Sequence, residues 1–77
     1  MKPKEYLDNY FYSKIGKKNM QKLKNINLIE EGILDSLDIV TISVEIKKKF
    51  NVDIKLNNEK SMKIFQSYEK LLEKITK

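Results

Sequence analysis

The residue best placed for chemistry is Ser36, which follows the glycine-containing segment 28–34 and stands in the run Asp35-Ser36-Leu37-Asp38. Asp35 is a favourable N-cap, which predicts that a helix begins at Ser36. A hydroxyl at that position is exposed, and the unpaired N–H groups and dipole of a first helical turn favour a phosphate attached to it. By position alone, an ordinary first-turn serine is the commoner explanation of the same pattern.

The residue types that the chain lacks exclude most catalytic chemistry. There is no Cys, no His and no Arg among its 77 residues. Disulfides, zinc fingers, thiol nucleophiles and imidazole bases are therefore excluded, and we expect no metal site. A single domain spanning residues 1–77 has little room for a deep cleft. We expect a protein that is not an enzyme, since the carboxylates of Asp35, Asp38 and Glu45 lack a pocket-sized scaffold.

The charge of the chain changes sign twice along its length. The formal net charge is +5 and all sixteen cationic side chains are lysines. Residues 1–24 and 47–77 are rich in lysine, whereas residues 25–46 hold five acids and no lysine. Nucleic-acid binders rely on the planar fork of Arg, and a uniformly basic face does not explain the acidic middle.

A basic surface nevertheless defines an alternative function, a small helical module that binds nucleic acid or an anionic membrane. The lysines that would serve it are Lys14, Lys17, Lys18, Lys22 and Lys24. Its support is charge alone, so our leading expectation is a protein without a nucleic-acid partner. No window approaches about 18 consecutive apolar residues, and residues 1–5 lack the apolar run of a secretory signal. We expect a cytoplasmic protein with no stable membrane insertion.

Hydrophobic spacing predicts one helix near each end of the chain. Over residues 4–15 the apolar positions recur at helical intervals, with Pro3 suited to the first turn and Gly16 to the end. The predicted face consists of Leu7, Tyr10, Phe11 and Ile15. A last helix is predicted over residues 68–76, with Ser67 as its N-cap. Its apolar face consists of Tyr68, Leu71, Leu72 and Ile75.

The segments between these helices are less regular. Residues 16–34 are polar and punctuated, and they predict a long connection with a turn or two of helix. Residues 52–56 alternate like a short strand or an extended connector, and residues 57–59 predict a turn or the start of a short helix.

Residues 35–50 fit two different structures. Alternating β-branched residues from Val40 to Ile46 favour a strand. The capping Asp35, an acid in the first turn and the lysines at 47–49 favour a helix. As a helix, the segment has two apolar faces. One face consists of Ile39, Ile42, Ile46 and Phe50, and the other of Leu37, Val40 and Val44. An exposed second face would be a contact surface.

The run around Ser36 also carries a family resemblance. The attachment motif of carrier proteins stands here as Asp35-Ser36-Leu37, within a lead-in, residues 28–36, that looks like that of stand-alone carriers, including the D-alanyl carriers. Residues 50–54 and 65–67 resemble the end of the family's second helix and the start of its last helix. The match is loose over residues 57–65. Through these segments the chain resembles the acyl carrier protein family.

This resemblance implies an all-α fold, a small four-helix bundle of acyl-carrier type with three main helices and one short helix. It implies that residues 36–50 are helical. It further implies a stand-alone, monomeric carrier whose Ser36, flanked by Asp35 and Leu37, takes 4'-phosphopantetheine from coenzyme A through a phosphopantetheinyl transferase. The thiol of that arm would hold an acyl or aminoacyl group as a thioester. Asp38, Val40 and Val44 would contact partner enzymes, a loading ligase and acyl-transferring or condensing enzymes.

One departure from the family concerns charge. Typical carriers of fatty-acid synthesis are strongly acidic and keep acids along the exposed side of this helix. Here its middle and end carry Thr41, Lys47 and Lys48. Docking to the usual basic patches is therefore not expected, and the sequence favours a dedicated lipid or secondary-metabolite pathway over housekeeping fatty-acid synthesis.

Overall fold

Residues 2–76, the part of the chain that the computed structural model describes, form four α-helices and one 3-10 helix. The elements in chain order are α1 (Pro3–Ile15), the 3-10 helix (Lys17–Asn25), α2 (Ser36–Phe50), α3 (Glu59–Gln66) and α4 (Tyr68–Thr76). No β-strand occurs in this range, so the predicted all-α class is confirmed. None of the helices formed by these residues is long and apolar enough to cross a membrane.

Helix α1 has the boundaries that its sequence predicts to within one residue. Pro3 occupies the first turn, where its missing N–H costs nothing, and Gly16 ends the helix with a φ of 79°. Of the predicted core face, Leu7 and Phe11 are fully buried. Tyr6 is buried as well, which the sequence analysis did not anticipate.

Helix α2 resolves the conflict between strand and helix in favour of the helix. Both of its ends are capped: Asp35 caps the N-terminus, and Asn51 closes the C-terminus in the left-handed conformation with a φ of 56°. Its N–H donates to the carbonyl oxygen of Lys47 over 3.1 Å. The β-branched residues follow the helical period, because the face predicted for the core is the buried one. Its members Ile39, Ile42 and Ile46 are buried, and Phe50 is partly buried.

The connection between α1 and α2 holds more helix than predicted. A nine-residue 3-10 helix runs from Lys17 to Asn25, where a turn or two was expected. Its anchors Met20 and Leu23, with Ile26 just beyond, are spaced by three residues, which is the repeat of a 3-10 helix. Leu23 is buried and the other two are partly buried.

The C-terminal third forms two short helices that meet at Ser67. Asn58 caps α3 by accepting a hydrogen bond from the N–H of Lys60 over 2.8 Å. Ser67 lies where the α4 cap was predicted, and its hydroxyl accepts from the N–H of Lys70 over 3.3 Å. Residues 51–58 form an irregular connector whose Ile54 is buried, so the strand alternative for 52–56 is wrong.

One continuous core joins all of these elements. The buried apolar residues are Tyr6, Leu7, Phe11, Leu23, Leu28, Leu34, Ile39, Ile42, Ile46, Ile54, Phe65, Tyr68, Leu71 and Ile75. Leu28 and Leu34 bracket the segment that leads to Ser36, and both are fully buried or nearly so. The core therefore fixes the position at which α2 begins.

Candidate functional site

The segment before Ser36 is a closely hydrogen-bonded turn. The side-chain oxygen of Asn27 accepts from the N–H groups of Ile29 and Glu30, each over 3.0 Å. The carbonyl oxygen of Leu28 accepts from the N–H groups of Ile33 and Leu34, again over 3.0 Å. The Leu28 N–H in turn donates to the carbonyl oxygen of Gln66 over 2.8 Å. These bonds hold the turn against the end of α3.

Gly32 supplies the one glycine conformation that this turn needs. Its φ is 75°, in the left-handed region that side chains rarely adopt. Its N–H donates to the carbonyl oxygen of Ile29 over 3.0 Å. The backbone conformation of this turn therefore favours glycine at position 32.

Asp35 and Asp38 cap α2 reciprocally. The N–H of Asp38 donates to the Asp35 carboxylate over 3.0 Å, and the N–H of Asp35 donates to the Asp38 carboxylate over 3.1 Å. This arrangement is a capping box in which Asp takes the place of the usual Glu at the third helical position. The predicted N-cap at Asp35 is confirmed, and Ser36 lies inside the box as the first helical residue.

Asp38 also links α2 to α1. One of its carboxylate oxygens accepts from the Tyr10 hydroxyl over 2.7 Å, and the other lies 2.9 Å from the Lys14 ammonium. Partial burial works to raise the pKa of Asp38. The hydrogen bonds from Tyr10, from Lys14 and from the Asp35 backbone outweigh it and lower that pKa to about 2. Asp38 is therefore an anion held by three donors around the start of α2.

This network changes the role expected for Asp38. The sequence placed it among the partner contacts, but only 9% of the residue is exposed and both of its oxygens have intramolecular donors. Asp35 is exposed, as are Glu30 and Glu31 in the preceding turn. The exposed acids near Ser36 are these three, and Asp38 is not one of them.

The Ser36 hydroxyl meets the requirements of a modification site. Ser36 is exposed, and its side chain makes no hydrogen bond to any other residue of the described range 2–76. The N–H groups of Ser36 and Leu37 belong to the first helical turn, where no intrahelical acceptor exists. They are aligned with the positive end of the helix dipole, which favours an attached phosphate. The residues present therefore fit a phosphodiester at Ser36.

An apolar stripe runs along α2 away from Ser36. Leu37 is 75% exposed, and Val40 and Val44 are each 48% exposed. These are three of the four large hydrophobic side chains exposed in the described chain, the other being Tyr12 on α1. The predicted separation of α2 into a buried face and an exposed face is confirmed. Exposed apolar side chains aligned in this way are typical of contact surfaces.

Tyr10 and Lys14 are the site residues that sequence reasoning missed. Tyr10 was assigned to the apolar face of the first helix and Lys14 to a basic patch. They are four residues apart, so they share one face of α1, which was a usable signal. What the sequence could not supply is that this face meets the first turn of α2, 24 or more residues further on.

The chain matches no protein-family model, no curated protein sequence and no solved structure. The resemblance to acyl carrier proteins therefore rests on the residues quoted above, and the site must be judged on its own geometry.

Proposed function

We propose that this protein is a carrier that holds an acyl or aminoacyl group on a 4'-phosphopantetheine arm attached to Ser36. The observation that carries the proposal is an exposed, unpaired hydroxyl at the capped start of a helix whose exposed face is apolar. The sequence around that hydroxyl resembles the attachment motif of acyl carrier proteins. The all-α fold with Ser36 at the start of α2 agrees with this family's order of elements.

In the loading step, the Ser36 oxygen would attack the phosphorus that joins pantetheine to the nucleotide of coenzyme A. The serine gives up its proton, a new oxygen–phosphorus bond forms, and the bond to the departing adenosine 3',5'-bisphosphate breaks. A phosphopantetheinyl transferase supplies the base and Mg²⁺ for this step, because the chain has no His and its nearest acids are capping groups. When bound, the arm supplies the thiol that carries the acyl group as a thioester.

The residues of this chain have three tasks in that scheme. The capping box holds the Ser36 backbone in place, so the hydroxyl is presented on a rigid helix end. The exposed carboxylates of Glu30, Glu31 and Asp35 give the transferase an acidic surface beside the serine. Leu37, Val40 and Val44 provide apolar contact area for the enzymes that load or unload the thioester.

The lysines of α2, which depart from the acidic helix of typical fatty-acid carriers, favour one kind of pathway. Enzymes of housekeeping fatty-acid synthesis bind acidic carriers, whereas the far end of α2 carries three exposed lysines, Lys47, Lys48 and Lys49. A dedicated pathway for a lipid or a secondary metabolite, with its own ligase, is the better match.

Intact-mass measurement tests the proposal directly. The protein is incubated with coenzyme A, Mg²⁺ and a broad-specificity phosphopantetheinyl transferase. We expect one phosphopantetheine increment on the wild type and none on Ser36→Ala. Ser13→Ala, which removes an exposed hydroxyl from α1, is the matched control and should be modified like the wild type.

A folded wild type that stays unmodified with several transferases would overturn the carrier function. Circular dichroism of the same samples shows whether each variant is folded. If the folded wild type stays unmodified, the next surface to test for nucleic-acid or membrane binding consists of the exposed lysines of the 3-10 helix, Lys17, Lys18, Lys22 and Lys24.

A further inference from the structure

The exposed face of α2 is less acidic than the five acids of residues 25–46 suggest. Two acids lie within the helix, Asp38 and Glu45, and both face α1. Asp38 binds Tyr10 and Lys14, and Glu45 accepts a hydrogen bond from the Tyr6 hydroxyl. Asp38 is buried, and Glu45 is partly buried at the edge of the groove that Val40, Val44 and Lys48 line.

The lysines at the other end of the helix are not paired in the same way. The ion pairs within residues 2–76 are Lys4–Asp8 and Lys14–Asp38, so Lys47, Lys48 and Lys49 have no salt-bridge partner in the described chain. All three are exposed. Asp53 shares a shallow groove with Lys47 and Lys48, and Glu45 lines another with Lys48 and Lys49.

Two of these lysines share the face of the apolar stripe. At 100° per residue, Val40, Val44, Lys47 and Lys48 fall within an arc of about 100°. Val44 and Lys48 together line two adjacent grooves, one toward Val40 and Thr41 and the other toward Ile54. The apolar stripe and the cationic pair therefore form one surface.

We infer that this surface binds a partner protein whose docking patch has an apolar area flanked by carboxylates. These carboxylates lie far from the opening through which the partner receives the phosphopantetheine arm of Ser36. The inference rests on the proposed function, since it takes α2 as the docking helix. Ser36 and Lys48 are twelve residues apart, which is about 18 Å along an α-helix. A partner that receives the arm at Ser36 must meet Lys47 and Lys48 at about that distance.

Charge complementarity favours an acidic protein over other occupants. An anionic membrane or nucleic acid would be repelled by Asp35, Glu30 and Glu31 at the Ser36 end, whereas a folded protein can match both ends of the face. The lysine ammonium groups are strongly hydrated point charges, which suits a steering role at the rim of an apolar contact.

A charge-swap experiment tests the inference. The probe is a carrier-dependent acyltransferase that has a basic docking patch, used in two forms. One form is natural, and in the other the basic residues about 18 Å from the opening for the arm are replaced by glutamate. Binding to the unmodified, isotope-labelled protein is followed by amide chemical shifts and yields a Kd for each form. We expect the glutamate form to bind at least about tenfold more tightly, with shifts at residues 37–48 and a difference that shrinks with salt.

The variants identify the lysines responsible. The double change Lys47→Glu with Lys48→Glu should reverse the preference, and Lys47→Gln with Lys48→Gln should abolish it. Lys17→Glu with Lys18→Glu alters the net charge equally at another exposed lysine pair and should leave the preference unchanged. Thermal melts verify that each variant is folded.

The outcomes separate this inference from the proposed function. Tighter binding of the natural basic form, or no shifts at residues 37–48 with either form, overturns the inference even if Ser36 is loaded by the transferase. A preference for the glutamate form that maps to this face supports it. If that preference is found while Ser36 stays unmodified, the docking surface stands and the carrier function fails.

Discussion

Asp38 shows how a single carboxylate can position a site without facing a partner. It holds the N-cap of α2, the Tyr10 hydroxyl and the Lys14 ammonium together. Its pKa is about 2 in the folded protein, against an ordinary value of 3.8. Because the folded pKa is lowered, the charged carboxylate stabilises the fold above about pH 4, and this contribution is lost as the pH falls toward 2.

We therefore predict a pH-dependent effect of Asp38→Asn. At pH 6 the variant should be less stable than the wild type by about 2 kcal/mol, the size implied by the change in pKa. The difference should shrink between pH 4 and pH 2 as the wild-type carboxylate takes up its proton. Urea unfolding at several pH values measures it. Asp53→Asn removes an exposed acid and is the control; a constant difference for Asp38→Asn across this range would contradict the assignment.

Asp35 has two tasks that substitution can separate. As an N-cap it can be replaced by Asn, which caps equally well, whereas Ala at this position costs about 1 kcal/mol. As an exposed carboxylate beside Ser36, it is expected to help the transferase approach. Asp35→Asn should therefore keep the melting temperature within a few degrees but lower the rate of Ser36 modification several-fold at low salt.

Equal rates for the wild type and Asp35→Asn at low salt would show that the carboxylate acts only as a cap. The rate is measured by intact mass against time, and Asp35→Ala shows the additional effect of a lost cap. High salt should bring the wild type toward the Asn variant, since screening removes the charge effect.

At the scale of the element, the end of α2 depends on the backbone of Asn51. Its φ of 56° is left-handed, a conformation that costs most side chains about 1 kcal/mol and glycine almost nothing. Asn51→Ala should therefore lower the stability by about 1 kcal/mol, whereas Asn51→Gly should leave it nearly unchanged or raise it. Chemical denaturation measures both. Equal stabilities of the Ala and Gly variants would contradict the left-handed cap.

The elements also show how far sequence reasoning reaches. Helices α1 and α4 were predicted nearly to the residue where capping signals coincide with a 3.6-residue period, as at Ser67. For α2 the residues left strand and helix open, and only the family resemblance favoured the helix. The 3-10 helix was underestimated, because its lysines and asparagines hide the three-residue spacing of Met20 and Leu23. Only the start of helix α3 was predicted, although Asn58 is a favourable N-cap.

The features of the candidate site that depend on neighbouring residues were predicted, whereas its contacts between distant segments were missed. Ser36 and the Asp35 cap can be read from neighbouring residues. The exposed stripe at Val40 and Val44 follows from helical periodicity once the helix is assumed. The contacts of Asp38 with Tyr10 and Lys14 join segments 24 to 28 residues apart, and no local pattern specifies which helix faces encounter each other.

For the molecule as a whole, α1 is the hub of the polar contacts between helices. Tyr6 and Tyr10 donate their hydroxyl protons to Glu45 and Asp38 on α2, and Tyr68 on α4 donates to Asp8 on α1. Each of these bonds sits at the margin of the core, where the tyrosine ring is packed and its hydroxyl reaches a carboxylate. These bonds tie α1 to both α2 and α4.

These three bonds predict how the fold responds to alkali. Burial raises the pKa of Tyr6, Tyr10 and Tyr68, and the hydrogen bond to a neighbouring carboxylate raises each further. Because the folded pKa values lie above the unfolded value of 10.0, the contribution of these tyrosines is complete below pH 10 and is lost as the pH rises beyond it. We expect α1 to separate from α2 and α4 in a cooperative transition above pH 10.

Absorbance near 295 nm, which follows tyrosinate, and circular dichroism should change together through that transition. The triple variant with Phe at positions 6, 10 and 68 should be less stable at pH 7, by about 1 kcal/mol for each lost hydrogen bond. Its stability should depend less on pH above 10 than that of the wild type. Tyr12→Phe alters an exposed ring and is the control. Tyrosine ionisation that is complete before any loss of helix would show that these hydroxyls do not hold the helices together.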